Sequence, residues 1–253
     1  MTGWAAAGVY GLLSAAGLIV GALAGLWLQM RHRTIAAVTA VGVGLLIAAA
    51  SLYLIAAALE AVSAMVAASG ALAGAASFSL ANLFLQRWEA GKRKRCGECV
   101  RQPSEDAIRG SGLAIAAGSM LDAVPEALII GAAAAGGSGV LPPVALIGAF
   151  ALANFAEGLS SAAGMRDAGR SKRYVLLLWT GATLVSAAAA ILGFALLSEG
   201  GAVERGWLEA FAAGALIALV VETMAPEAVH GEPGFTGLLA MLGFSGLLLA
   251  LAE

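Results

Sequence analysis

Residues 1–30 carry no charged side chain, and residues 34–86 carry one, Glu60. A bilayer core is about 30 Å thick and accepts roughly 20 apolar residues per helix. The first run therefore suits one crossing. The second is too long for one and suits two helices turning near Glu60. The runs are continuous rather than alternating in ten-residue segments, which disfavours a β-barrel. Hydrophobic residues make up 60% of the 253 and charged residues 12%. A soluble domain carries about 25% charged residues, so this composition excludes an ordinary globular domain, a disordered chain and a nucleic-acid binder.

Polar sequence marks the turns. Residues 87–109, RWEAGKRKRCGECVRQPSEDAIR, form a charged loop. Apolar sequence resumes at Ser111, and AAGGSGVLPP at 134–143 divides it, with Pro142 and Pro143 suited to a helix start. RDAGRSKR at 166–173, the polar stretch 199–205 and HGEPG at 230–234 separate the later segments. The pattern predicts an all-α integral membrane protein, one transmembrane domain over 1–253. Its eight helices are predicted at 5–29, 35–58, 62–86, 108–135, 142–165, 174–197, 206–229 and 234–252. The 34 glycines suit close helix contact in lipid. GLIVGALAG at 17–25 spaces small residues four apart, without indicating a partner.

Charge placement sets an orientation. Eight crossings put both termini on one side. Thirteen of the 14 basic residues then fall on the other, in the loops after helices 1, 3 and 5, and only Arg205 lies opposite. By the positive-inside rule the basic side is cytoplasmic and both termini are extracytoplasmic, in a multi-pass cell membrane protein of prokaryotic type. The flank MTGW lacks a basic n-region, so the first span reads as an uncleaved helix.

Three carboxylates interrupt the apolar sequence of helices 4 and 5. Asp122 and Glu126 lie about 21 and 27 Å along helix 4, and Asn154 and Glu157 about 18 and 22 Å along helix 5. Helix 5 runs the opposite way, so the pairs meet near mid-bilayer, and each pair shares a helix face. Pro125 removes an N–H and frees the Leu121 carbonyl. Three uncompensated charges at that depth cost about 8–10 kcal/mol on insertion scales. No lysine or arginine lies in the apolar helix cores, so the neutralising cation comes from solution, as a proton or a metal ion. Carboxylates and an amide offer hard oxygen ligands that suit divalent ions. The competing reading is protonated acids that bond their neighbours.

LDAVPEALI (121–129) and LANFAEGLS (152–160) align Glu126 with Glu157 and Leu128 with Leu159. Opposite directions and matching sequence suggest inverted repeats meeting at a midplane site. Helices 1–3 and 6–8 then flank the central pair in a 3+2+3 arrangement, with GVGLLIAAA (42–50) similar to AAGALIALV (212–220).

These features resemble the ZIP (Zrt/Irt-like) divalent-metal transporters. The resemblance rests on the Pro125–Glu126 pair, the Asn-x-x-Glu-Gly at 154–158, the basic loop between helices 3 and 4, and FAAGALIALVVETMAPEAVHGEPGFTGLLAMLGFSGLLLAL at 211–251. It implies uptake of zinc, iron, manganese, cadmium or a related ion into the cytoplasm, with the metal as substrate and no prosthetic group, in a lipid bilayer and as a homodimer. Carried over, Glu126 matches the family's helix 4 glutamate, and Asn154 and Glu157 match its helix 5 polar residue and glutamate. Asp122 stands where the family has histidine, Ala123 where it has asparagine and Ala127 where it has glycine. Helix 6 offers only Thr180, Thr183 and Ser186, so one site of Asp122, Glu126, Asn154 and Glu157 is expected rather than two. Losing the imidazole favours harder ions.

Cys96 and Cys99 form half of a tetrahedral zinc site and read as auxiliary metal capture, a redox pair or incidental thiols. Glu222 is deep enough in helix 7 to line a pathway. Glu227 and His230 suit an ion at the cytoplasmic mouth or a solvated helix end. Glu60 and His32 read as solvated, and Ser119 and Ser161 as backbone-bonded. His-Glu-x-x-His is absent and both histidines sit outside the helix cores, so no enzyme is expected. The alternatives are a proton-coupled carrier or channel whose acids bind protons only, and a non-transporting paralogue or scaffold.

Overall fold

A computed structural model describes residues 3–85, 111–135, 144–198, 200–231 and 235–252. Among the described residues the chain is helical between short turns, with no strand. Helix α1 covers Gly3–Trp27. Helix α2 (His32–Ala48) continues through a π-helical stretch, Ala49–Ile55, into α3 (Ala56–Ala61). Then come α4 (Ala64–Leu85), α5 (Ser111–Ala134), α6 (Val144–Asp167) and α7 (Lys172–Leu197). Helix α8 (Ala202–Leu219) passes through a second π stretch, Val220–Met224, into α9 (Ala225–Gly231), and α10 is Thr236–Ala252.

Among the described residues six rods are long and apolar enough to cross a membrane: Gly3–Trp27, His32–Ala61, Ala64–Phe84, Val144–Asp167, Lys172–Leu197 and Ala202–His230. Helix α5 has 24 residues, about 36 Å at 1.5 Å per residue, and carries two acids. Helix α10 is apolar and shorter, at 17 residues. Large apolar side chains point outward along the bundle, among them Leu13, Leu72, Leu177, Leu238 and Leu249. Such a surface suits lipid contact, since water-soluble monomers keep contiguous apolar patches small. The chain is an all-α, multi-pass membrane protein.

Local chemistry moves several helix ends. Ser171 accepts from the Tyr174 N–H at 3.2 Å, so α7 starts at Lys172 rather than 174. Helix α8 starts at Ala202 rather than 206, after an extended Gly201. Gly169 turns the α6–α7 corner at φ 80°, a left-handed conformation that favours glycine. The π stretches widen the helix by one residue per turn, and each holds a hydroxyl bonded four residues back: Ser51 to the Ile47 carbonyl at 2.6 Å and Thr223 to Leu219 at 2.5 Å.

The helices pack in two groups. Helix α1 lies against α6 and α7, and α5 against α7; α4 lies against α8, and α10 against α2. Contacts of α2 with α6, and of α8 and α4 with α5, join the groups. Glycines set the closest approaches. Gly17, Gly21 and Gly25 of α1 face the carbonyls of Ala151, Phe155 and Leu159 of α6, where a Cβ would collide with backbone. Gly158 returns the contact against the Leu18 carbonyl. The small-residue run at 17–25 is therefore the α1–α6 interface. Elsewhere Gly44 faces Ala240, Gly243 faces Val41, Gly214 faces Ala71, Gly74 faces Phe211, and Gly193 faces Leu128, each at a backbone carbonyl.

Candidate functional site

The α1–α6 approach places Asn154 beside the middle of α1. Its Nδ2 donates to Glu126 Oε2 of α5 at 2.8 Å and to the Ser14 carbonyl of α1 at 3.2 Å. Asp122, Glu126 and Asn154 are 6%, 4% and 3% exposed, and Glu157 is half-buried. Asp122 and Glu126 share one face of α5, Asn154 and Glu157 share one face of α6, and the Asn154–Glu126 bond brings the two pairs into one largely buried region. The interiors of α1, α5, α6 and α7 hold no lysine, arginine or histidine; their only bases, Arg166, Lys172 and Arg173, lie at helix ends. Among the described residues, however, no three or more His, Cys, Asp or Glu side chains stand close enough to enclose a metal ion.

The α7 hydroxyls are directed to backbone. Thr183, buried, donates to the carbonyls of Ala15 at 3.3 Å and Trp179 at 2.9 Å, and Ser186 donates to Ala182 at 3.0 Å. Thr180 is exposed. Ser161 is fully buried. The side chain of Ser119 and the pair Cys96 and Cys99 lie outside the described residues.

A second polar cluster joins α4 to the second π stretch. Ser79 and Asn82 donate to the two carboxylate oxygens of Glu222. Sequence reading found the acid and missed both partners. The sequence offers only a faint signal: Asn82 is the one side-chain amide in Ala64–Leu85, and Ser79 precedes it by one turn. Glu227 accepts from Ser160 of α6, while the exposed His230 ring bonds the Pro226 carbonyl through Nδ1 at 2.8 Å. The pair expected at a cytoplasmic mouth is thus held by different partners. Glu60 and His32 are exposed.

Fold and site together define a multi-pass helical membrane protein with a buried acid–amide cluster. No protein-family model matches the chain, and no characterised protein matches it.

Proposed function

We propose that the chain is a ZIP-like carrier that moves a divalent cation into the cytoplasm through a midplane site made of Asp122, Glu126, Asn154 and Glu157. The observation that carries this reading is the buried cluster itself. Asn154 of α6 bonds Glu126 of α5, Asp122 and Glu157 lie one helical turn from this contact, and the interiors of α1, α5, α6 and α7 contain no lysine, arginine or histidine in sequence. Oxygen ligands of this kind suit hard divalent ions. Binding requires Asp122 and Glu157 to close toward Glu126. The chain acts as a carrier rather than an enzyme and needs no prosthetic group.

The proposed architecture is eight crossings in a 3+2+3 plan with inverted repeats. Reciprocal glycine contacts support it. Exchanging α1, α2–α3 and α4 with α7, α8–α9 and α10 turns the Gly44–Ala240 approach into Gly214–Ala71, and Gly243–Val41 into Gly74–Phe211. Exchanging α5 with α6 turns Gly25–Leu159 into Gly193–Leu128. Both long rods also carry a π stretch at matching positions. Elements related in this way place a substrate site where the repeats meet. Glu222, with Ser79 and Asn82, lines the release path in this reading.

The test is uptake of zinc, manganese, iron or cadmium into proteoliposomes by the parent, Glu126→Gln and Glu157→Gln proteins. Loss of uptake in both variants is expected, and undiminished uptake in both defeats the assignment. One observation favours a second reading. The acids do not enclose a metal, and protons need no enclosing shell. A proton-only carrier predicts no calorimetric metal binding at micromolar concentration.

A further inference from the structure

We propose that the α1–α2 and α6–α7 loops form one docking surface for the phosphate headgroups of anionic lipid. Arg166 joins the loops: its Nη1 donates to the carbonyls of Gly25 at 2.8 Å and Leu28 at 3.1 Å. Its own charge is offset by Asp167, with Nη2 3.0 Å from Oδ1. Asp167 is the only acid in 28–34 and 166–173, which also hold Arg31, Arg33, Arg170, Lys172 and Arg173. Arg31, Arg33, Lys172 and Arg173 are exposed.

An aromatic anchor sits within this surface. Trp27 is 53% exposed at the end of α1, and the Lys172 Nζ lies 4.8 Å from its ring centroid. Tryptophan beside lysine and arginine is the usual composition of a headgroup-level belt. Arginine forks match phosphate oxygens in pairs. The opposite end of the bundle, where Trp4 meets Phe194 and Gly206 meets Ala61, carries Glu60, Glu204 and Glu209 against one base, Arg205. The attraction is therefore confined to one end. It is independent of what the midplane acids bind.

The test is native mass spectrometry of the full chain in detergent with equimolar phosphatidylglycerol and phosphatidylcholine. The parent should retain phosphatidylglycerol preferentially. Replacing Arg31, Arg33, Lys172 and Arg173 by glutamine should weaken retention by about fivefold per charge. If that variant does not accumulate, the pair Arg31→Gln and Lys172→Gln is read in the same way. Neutralising Lys92, Arg93, Lys94 and Arg95 instead should weaken retention less, because these bases add only general attraction to anionic lipid. A parent without preference, glutamine variants that keep it, or an equal loss on neutralising 92–95 overturns the proposal.

Discussion

Asn154 donates to Glu126 at 2.8 Å, and the same amide nitrogen reaches the Ser14 carbonyl at 3.2 Å. One α6 side chain therefore ties α5 and α1 together at the level of the buried acids. The cross-links are local, but they fix the position of Glu126 relative to α6. Asn154→Ala removes both donations and leaves a buried carboxyl and a carbonyl to find other partners. The expected loss is about 1–3 kcal/mol, read as a lower midpoint of thermal unfolding in detergent. Asn154→Asp keeps the oxygen and adds an anion. If the site takes a divalent ion, metal should raise the midpoint of the Asp variant more than that of the Ala variant, by preferential binding to the folded state. Equal metal shifts would argue against coordination at this position.

The glycine approaches make a sharper prediction about folding. Gly21 and Gly44 face backbone carbonyls that cannot rotate away, so Gly21→Ala and Gly44→Ala force helices apart. Both should lower the unfolding midpoint, and Gly21→Leu should abolish accumulation of folded protein. Gly148→Ala and Gly181→Ala are the controls, because nothing lies within 4 Å of their added Cβ atoms. These two should be neutral or slightly stabilising, since alanine is the better helix former. Gel filtration of the detergent-purified variants with thermal unfolding checks all five.

The apolar rods were legible because bilayer thickness imposes a length that no packing detail overrides. The Ala64–Leu85 helix could be read from apolar sequence and flanking charge alone. Helix partners were not legible. Alanine is so frequent that the small residues at 17–25 indicated close contact without naming α6, and that choice depends on backbone carbonyls far away in sequence. The acids at 122, 126 and 157 stood out because a carboxylate in lipid is expensive. Ser79 and Asn82 did not, because neutral polar groups cost less there and their importance appears only when Glu222 arrives from another helix. The π stretches had no sequence signal, since serine and threonine also bond back to the i−4 carbonyl in ordinary helices.

Thr183 tests whether α7 contributes to the site. Its hydroxyl donates to Ala15 and Trp179 carbonyls, and both contacts are structural. Thr183→Val keeps the shape and removes the donor. The expected loss is small, about 0.6–1.7 kcal/mol, typical of interhelical hydrogen bonds in membrane proteins. If the parent binds a divalent ion, calorimetric metal affinity should stay within about twofold of it. A larger fall would place α7 in the coordination shell and point to a second ion.

Glu222 couples α4 to the second π stretch through two donors, so its contribution is best measured as an interaction. Glu222→Gln retains an acceptor oxygen but loses the carboxylate, while Asn82→Ala removes a donor that is almost fully buried. If the contact stabilises the fold as a charged hydrogen bond, each single change costs about 1.5–3 kcal/mol and the double change costs less than their sum. Reversible unfolding of the four proteins gives the coupling directly, and additive losses would show that Glu222 and Asn82 act independently. Uptake separates the roles. As a release-path residue, Glu222 should lower the uptake rate on substitution by more than Ser79→Ala does, even where the two variants are equally stable. Equal uptake at equal stability would leave Glu222 as an anchor of the π stretch alone.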